Sequence, residues 1–201
     1  MPVRTFDYCA LQFINLWIDK EEGYCHAVAS EDIEQRRQGL RNASGHFRIA
    51  RNLPEQYEQA GRFQTVLEYL GDIHNATDDN VVDIVNDFQK QISQAYGGRN
   101  VLSAATKFLW LKLKSPVRIY DSQARTALGT NINDYSAFNA AFTIKYTEVK
   151  DQIACACSSL VHVISYTVNP TIATQKLEEL VHQQWFQERV FDIYLWNAGN
   201  A

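Results

Sequence analysis

Residues 103–129 read SAATKFLWLKLKSPVRIYDSQARTALG, and this stretch decides the fold class. Ser103 is a residue type that caps helix N-termini, and Ala, Leu and Lys dominate the eleven residues after it. Pro116 cannot continue that helix, so it stops before the proline. The link PVRIY is short and extended in character. Asp121 is again a capping residue type, and opens a helix reaching about Leu128 before Gly129. The stretch is therefore helix, proline-containing link, helix.

The same grammar extends in both directions. Residues 5–18, TFDYCALQFINLWI, form a strongly apolar first helix. Ser30, with Glu31, Asp32 and Glu34 behind it, caps a short second helix. The segment RRQGLRNASGHFRIAR follows, and Gly39, Asn42 and Ser44–Gly45 mark it as loop or broken helix. Pro54 suits the first position of a helix reaching about Gly71, with Leu53, Tyr57, Ala60, Phe63, Leu67 and Leu70 at helical spacing. Thr77 starts a further helix, in which Val81, Val85, Phe88, Ile92 and Ala95 alternate gaps of four and three. Asp134 to about Tyr166 is one long helix or two, broken by Asn169–Pro170. Residues 171–197 supply the last helical material. The expectation is an all-α fold with no strand, in a single domain over residues 1–201.

Composition agrees with that expectation. Hydrophobic residues make up 46% and aromatics 12% of the 201 residues, enough for a packed interior. Four prolines and nine glycines are too few for the many turns of an all-β chain. The net charge of −4 argues against general polyanion binding, but its distribution is uneven. Five arginines and no acid lie between Arg36 and Arg51, and five cations face Asp121 alone between Lys107 and Arg125. The four cysteines lack metal-site spacing. Cys155 and Cys157 point to nearly opposite sides of a helix, so reduced, buried thiols and no metal or cofactor are expected. No signal peptide is evident, and Ile153–Val168 is too short and polar to span a bilayer. The expected location is cytoplasmic.

Lys107 stands one turn into its helix, and Asp121 at the start of the next. This arrangement resembles the active-site segment of helix-hairpin-helix DNA glycosylases, in particular the 8-oxoguanine DNA glycosylase-like family. There, a hairpin of Gly-x-Gly-Thr-Lys type leads a helix, and a Pro-Val-Asp type element delivers an aspartate to the following one. Ala105-Thr106-Lys107 and Ile119-Tyr120-Asp121 occupy those places, with Ser103 and Ala105 where the hairpin has glycines. The closing run WFQERVFDIYLW (Trp185–Trp196) looks like the C-terminal segment of small bacterial members. The resemblance is specific over roughly 25 residues. It implies a bundle of roughly 8–10 helices in two lobes, with the active site between them and residues 103–129 at their junction.

It also implies excision of a modified base from double-stranded DNA by a monomer. The base is an oxidised purine, or a hypermodified phage base such as glucosylated hydroxymethylcytosine. Cleaving an N-glycosidic bond makes C1′ oxocarbenium-like, so a nearby carboxylate, Asp121, stabilises the developing charge. A neutral amine, Lys107, can attack C1′, expel the base and leave a Schiff base on the sugar, opening the way to AP-lyase strand cleavage. The helix N-terminus and the apolar neighbours Trp110 and Leu111 disfavour the ammonium form of such a lysine. Taken singly, a lysine on an apolar helix usually snorkels to the surface, and an aspartate before Ser-Gln-Ala-Arg usually only caps. Together, with matching flanks, they favour catalysis.

A flipped base needs an apolar or aromatic pocket, for which Trp110, Tyr120, Trp185 and Phe186 are the candidates. At most one of the adjacent Trp185 and Phe186 faces it. Phosphate contacts fall to Arg48, Arg51, Lys112, Lys114, Arg118 and Arg125, with Ser103 offering a hydroxyl and backbone N–H groups at a helix start. His46 and Phe47 are wedge candidates for the gap that the extruded base leaves. The rival reading is a non-catalytic helical DNA-binding module on the same scaffold. A protein-interaction domain explains the aromatic residues but neither basic segment.

Overall fold

The computed structural model describes residues 5–53, 61 and 63–200. Regular structure among them is all helical, with no strand, so the fold is all-α. The chain divides into two compact units, Met1–Lys20 with Asp121–Ala201, and Glu21–Tyr120. The second boundary falls inside the 103–129 stretch, between Tyr120 and Asp121.

The first unit contains α1 (Phe6–Leu16), α7 (Ser122–Leu128), α8 (Tyr135–Ser158), α9 (Pro170–Leu180) and α10 (Gln184–Gly199). Thr5, Asp121, Asp134 and Asn169 cap α1, α7, α8 and α9, each side chain accepting a backbone N–H of the first turn. Gly129 ends α7 at φ +66°, a left-handed position that a side chain would strain. The segment Asp134–Tyr166 is one α-helix as far as Ser158, then a 3-10 run, Ser159–Tyr166. Rings build the interior. Phe13 meets Phe186 at 4.7 Å between centroids, and Phe142 meets Phe191 at 4.9 Å. At the end of α10, Gly199 lies so close to α7 that an added Cβ would stand 2.0 Å from the Gln123 carbonyl oxygen.

The second unit contains α2 (Glu22–Ala29), α3 (Ile33–His46), α4 (Gln64–Asp72), α5 (Val81–Ala95) and α6 (Leu102–Leu113). A π-helical turn, Trp17–Glu21, leads into α2. On α5 the expected stripe is buried at Val81, Val85, Phe88 and Ile92. Phe63 and Phe108 meet edge to face at 6.4 Å.

Several boundaries differ from the sequence expectation. Asp32, not Ser30, caps α3 by accepting Glu34 N–H at 2.9 Å; Ser30 Oγ instead accepts the N–H of Asp32. The arginine-rich segment is continuous helix through His46. Gly39 serves close packing there, because a Cβ on it would stand 2.7 Å from the Ala27 Cβ of α2. Asn80 rather than Thr77 precedes α5. Ser103 is not a cap: α6 begins at Leu102, whose N–H is accepted by Asn100 Oδ1 at 3.2 Å. Of the helix expected from Pro54, Gln64–Asp72 is helical, while Pro54, Tyr57 and Ala60 lie outside the described residues. Cys155 is exposed rather than buried. Cys157 is buried, and burial pushes its thiol up to about 12.

Candidate nucleophile and nucleic-acid interface

The geometry around Lys107 belongs to the second unit. Starting α6 at Leu102 places Ser103 and Lys107 four residues apart on one helical face. The Lys107 Nζ donates to Ser103 Oγ at 2.8 Å, and only 5% of the lysine is exposed. Thr106 Oγ1 donates to the Leu102 carbonyl at 3.2 Å and accepts the Tyr120 N–H at 3.0 Å. Hence the residue before Lys107 is bonded to the residue before Asp121. Both partners of that bond are buried, so it is made in a low-dielectric setting where an amide hydrogen bond is strong.

Asp121 belongs to the first unit. It opens α7, and its Oδ1 accepts the Gln123 N–H at 3.0 Å. The carboxylate is half-buried and held by the helix start.

The aromatic candidates separate cleanly by environment. Trp110 and Tyr120 are buried in the second unit, at 3% and 6% exposure. Trp185 is half-buried in the first, its ring 4.7 Å from Trp17 and edge-on to Phe13 at 6.3 Å. Phe186 is fully buried against Phe13, so it is a core residue and offers no face to a base. Sequence spacing alone had left both members of that pair eligible.

The nominated cations have unequal freedom. Lys112 donates to the Leu70 carbonyl and to that of Gly71 at 3.3 Å, closing the C-terminal end of α4. Burial, then the Arg36 guanidinium, lower its pKa, and Asp72 partly restores it. Arg118 is 5% exposed, donates to the Pro116 carbonyl at 3.3 Å and pairs with Asp78 at 3.8 Å. Arg125 donates to the Thr130 carbonyl at 2.9 Å, closing the C-terminal end of α7. Lys114 is half-buried at the end of α6, with φ +55°. Lys112, Arg118 and Arg125 serve the fold in ways that charge patterning could not reveal.

Arg48 and Arg51 are exposed, as a phosphate contact requires. Arg51 is joined by a residue that the sequence did not single out. Arg99 Nη1 donates to the Arg51 carbonyl at 3.4 Å, and Arg99 directly precedes the Asn100 that satisfies the start of α6. Arg99 thus stands just before the end of α6 that carries Ser103 and Lys107, with its guanidinium on the Arg51 backbone. The signal was faint: one arginine after the Gly97–Gly98 turn. His46, the wedge candidate, ends α3 with its Nε2 3.6 Å from the fully buried Glu21 carboxylate, and its ring packs against Tyr24 and Phe47.

In the first unit, an open groove of about 710 Å³ is lined by Phe6, Asp7, Asp151, Cys155 and Tyr194 among others, and by none of the nominated residues. Among the described residues, no three His, Cys, Asp or Glu side chains gather to hold a metal ion, and no helix is long and apolar enough to cross a membrane. The chain matches no protein-family model, no curated protein and no solved structure.

Proposed function

We propose that the chain is a DNA N-glycosylase that flips a modified base out of double-stranded DNA and excises it, with Lys107 as nucleophile and Asp121 as the essential carboxylate. The observation that carries this reading is the N-terminal end of α6. A buried amine is held there by Ser103, at the end of the helix that the exposed Arg99 precedes, with the Arg99 guanidinium on the backbone carbonyl of exposed Arg51. A helix start with flanking arginines suits a backbone phosphate, and a buried amine one turn further in suits the adjacent sugar carbon. The neutral Lys107 amine forms a bond to C1′ as the bond to the base breaks, and the base leaves with its electron pair. The C1′–O4′ bond of the resulting aminal then breaks, O4′ taking the electron pair and the proton shed by nitrogen, and the ring-opened Schiff base either hydrolyses or loses the 3′ phosphate by β-elimination. Asp121 balances positive charge on the sugar while that bond breaks. The enzyme acts as a monomer in the cytoplasm, on an oxidised purine or a hypermodified phage base.

The test uses oligonucleotides and phage DNA carrying candidate modified bases, scored for free base, abasic sites and borohydride-trapped protein–DNA adduct. Base release with trapping is expected, and Lys107→Gln abolishes the adduct. Binding without release from any modified DNA would leave the non-catalytic DNA-binding module as the correct reading. Abasic sites without any adduct would remove Lys107 from the covalent role.

A further inference from the structure

We infer that Ser103 is the positioning residue of the Lys107 amine, fixing where Nζ sits and how readily it gives up its proton. The inference rests on the glycosylase reading for its purpose, but its geometry is independent of DNA. A lysine side chain has four rotatable bonds, and confining its terminal nitrogen carries a large rotamer entropy. Attack on a sugar carbon requires the reacting atoms about 3–3.5 Å apart and aligned, so an unrestrained amine would spend most of its time misplaced. Ser103 supplies one such restraint from within α6 itself. It lies one turn before Lys107 in the first turn of α6, is half-buried, and its Oγ accepts from Nζ at 2.8 Å.

The hydroxyl's place within the helix explains why it can do this without disturbing α6. Asn100 Oδ1 accepts the first N–H of α6, that of Leu102, and Ser103 stands inside the helix, past the cap position. The neighbouring hydroxyl, Thr106 Oγ1, is committed elsewhere, to the Leu102 and Ser103 carbonyls and to the Tyr120 N–H. The two hydroxyls divide the work: Thr106 holds the backbone and Ser103 holds the amine.

The proton balance is simple. The ammonium gives one proton to solvent. A remaining N–H stays on Ser103 Oγ, and the lone pair that appears is directed away from the serine. The accepted bond favours the charged form, so Ser103 aims the nucleophile while delaying its deprotonation. Alanine or glycine at this position removes both effects, and threonine retains the hydroxyl.

Reductive methylation with formaldehyde and cyanoborohydride, read at Lys107 by peptide mass spectrometry across pH, tests the inference without DNA. Ser103→Ala and Ser103→Gly are expected to move the Lys107 profile to lower pH by about one unit, with Ser103→Thr returning it to the wild-type position. The other lysines serve as internal controls. An unmoved profile in both deletion variants, or a threonine variant displaced as far as alanine, overturns the inference. On DNA that the wild type traps, at a pH above both titration profiles where the amine is neutral in either protein, Ser103→Ala is expected to slow adduct formation about tenfold, and an equal rate there also overturns the positioning role. If the wild type traps no DNA while the methylation profile shifts as expected, the glycosylase reading fails and the Ser103–Lys107 arrangement stands.

Discussion

The two units are built from the same kind of helix but stabilised in different ways. The first is a meeting of rings. Phe13, Trp17, Trp185 and Phe186 form one group, and Phe142, Tyr146, Phe191 and Tyr194 form another. The buried charges it carries are paired on its own α10, where Arg189 bonds Asp192 and stacks over Phe13. Among the described residues the second unit has fewer ring contacts, Phe63 on Phe108 among them, and sets its buried rings among aliphatic side chains such as Leu40, Val66, Leu67, Leu70, Val81, Val85 and Ile92. It buries cations against oxygen atoms instead: Lys107 on Ser103, Lys112 on the end of α4, Arg118 on Pro116. A ring core resists deformation because each ring fills its place, whereas a buried cation must keep its acceptor or become a cost. The lesson is that of the two proposed catalytic groups, the amine lies where local rearrangement is most expensive. The carboxylate sits at an ordinary helix cap.

That contrast is sharpest at Asp121, and the largest effect is expected there. Asn caps a helix as well as Asp does, so Asp121→Asn should leave α7 and the stability of the first unit within about 0.5 kcal/mol of wild type. It removes the negative charge, and excision should fall about 10²–10³-fold. Asp121→Ala should lose as much excision and in addition about 1 kcal/mol of stability, since the Gln123 N–H loses its acceptor. Single-turnover base release and urea unfolding on the two variants separate charge from cap. An asparagine variant with full excision would confine Asp121 to capping.

Among the described residues, Gly39 in the second unit and Gly199 in the first stand at helix–helix approaches, and these give the middle-sized effects. At Gly39 an added methyl meets the Ala27 Cβ at 2.7 Å, with both helices held on either side. Overpacking of this kind costs about 1–3 kcal/mol, and the gain in helix propensity returns about 1. Gly39→Ala should therefore destabilise by up to about 2 kcal/mol, and Ala27→Gly in the same chain should recover part of the loss. At Gly199 the clash with the Gln123 carbonyl oxygen is closer, at 2.0 Å, yet Gly199 is the last residue of α10. Its final turn can unwind, so Gly199→Ala should cost under about 1 kcal/mol. Thermal melts of the three variants settle the order. A larger loss at Gly199 than at Gly39 would show that the end of α10 is fixed to α7 as firmly as a helix interior.

These features also mark what the sequence could and could not disclose. The α5 stripe, the cap at Asp121 and the all-α class follow from spacing and residue type, because they are local. Lys107 and Asp121 stood out for the same reason. Gly39 was misleading, since a glycine that lets two helices touch has the same letter as one that breaks a helix. The Ser30 assignment failed narrowly, because two capping residue types stand two positions apart and geometry selects the second. The fate of the cations was not legible at all. Nothing near Lys112 announces carbonyls 41 and 42 residues earlier in the chain, and nothing near Arg51 announces Arg99. Such contacts are fixed by packing, which local pattern does not encode.

The smallest expected effect tests whether a cation in the second unit is truly held by the fold. Lys112 titrates below its ordinary value, chiefly through burial and then through Arg36. Folding therefore weakens its hold on the proton. Below the lowered pKa the penalty is present in full, because both folded and unfolded chains carry the ammonium. Between that value and the ordinary lysine range, the unfolded chain binds more protons than the folded one, so stability rises with pH. Lys112→Met removes the titrating group and should remove that rise, while also losing the bonds to the Leu70 and Gly71 carbonyls. Water reaches much of this side chain, so the pH-dependent part should be under about 0.5 kcal/mol. Urea unfolding of both proteins between pH 8 and 10.5 reads it as a difference in slope with pH, which cancels the titration of the remaining lysines and tyrosines. Parallel slopes would mean that the Lys112 ammonium is as well accommodated in the fold as in water, and the contrast between the two units would then rest on Lys107 and Arg118 alone.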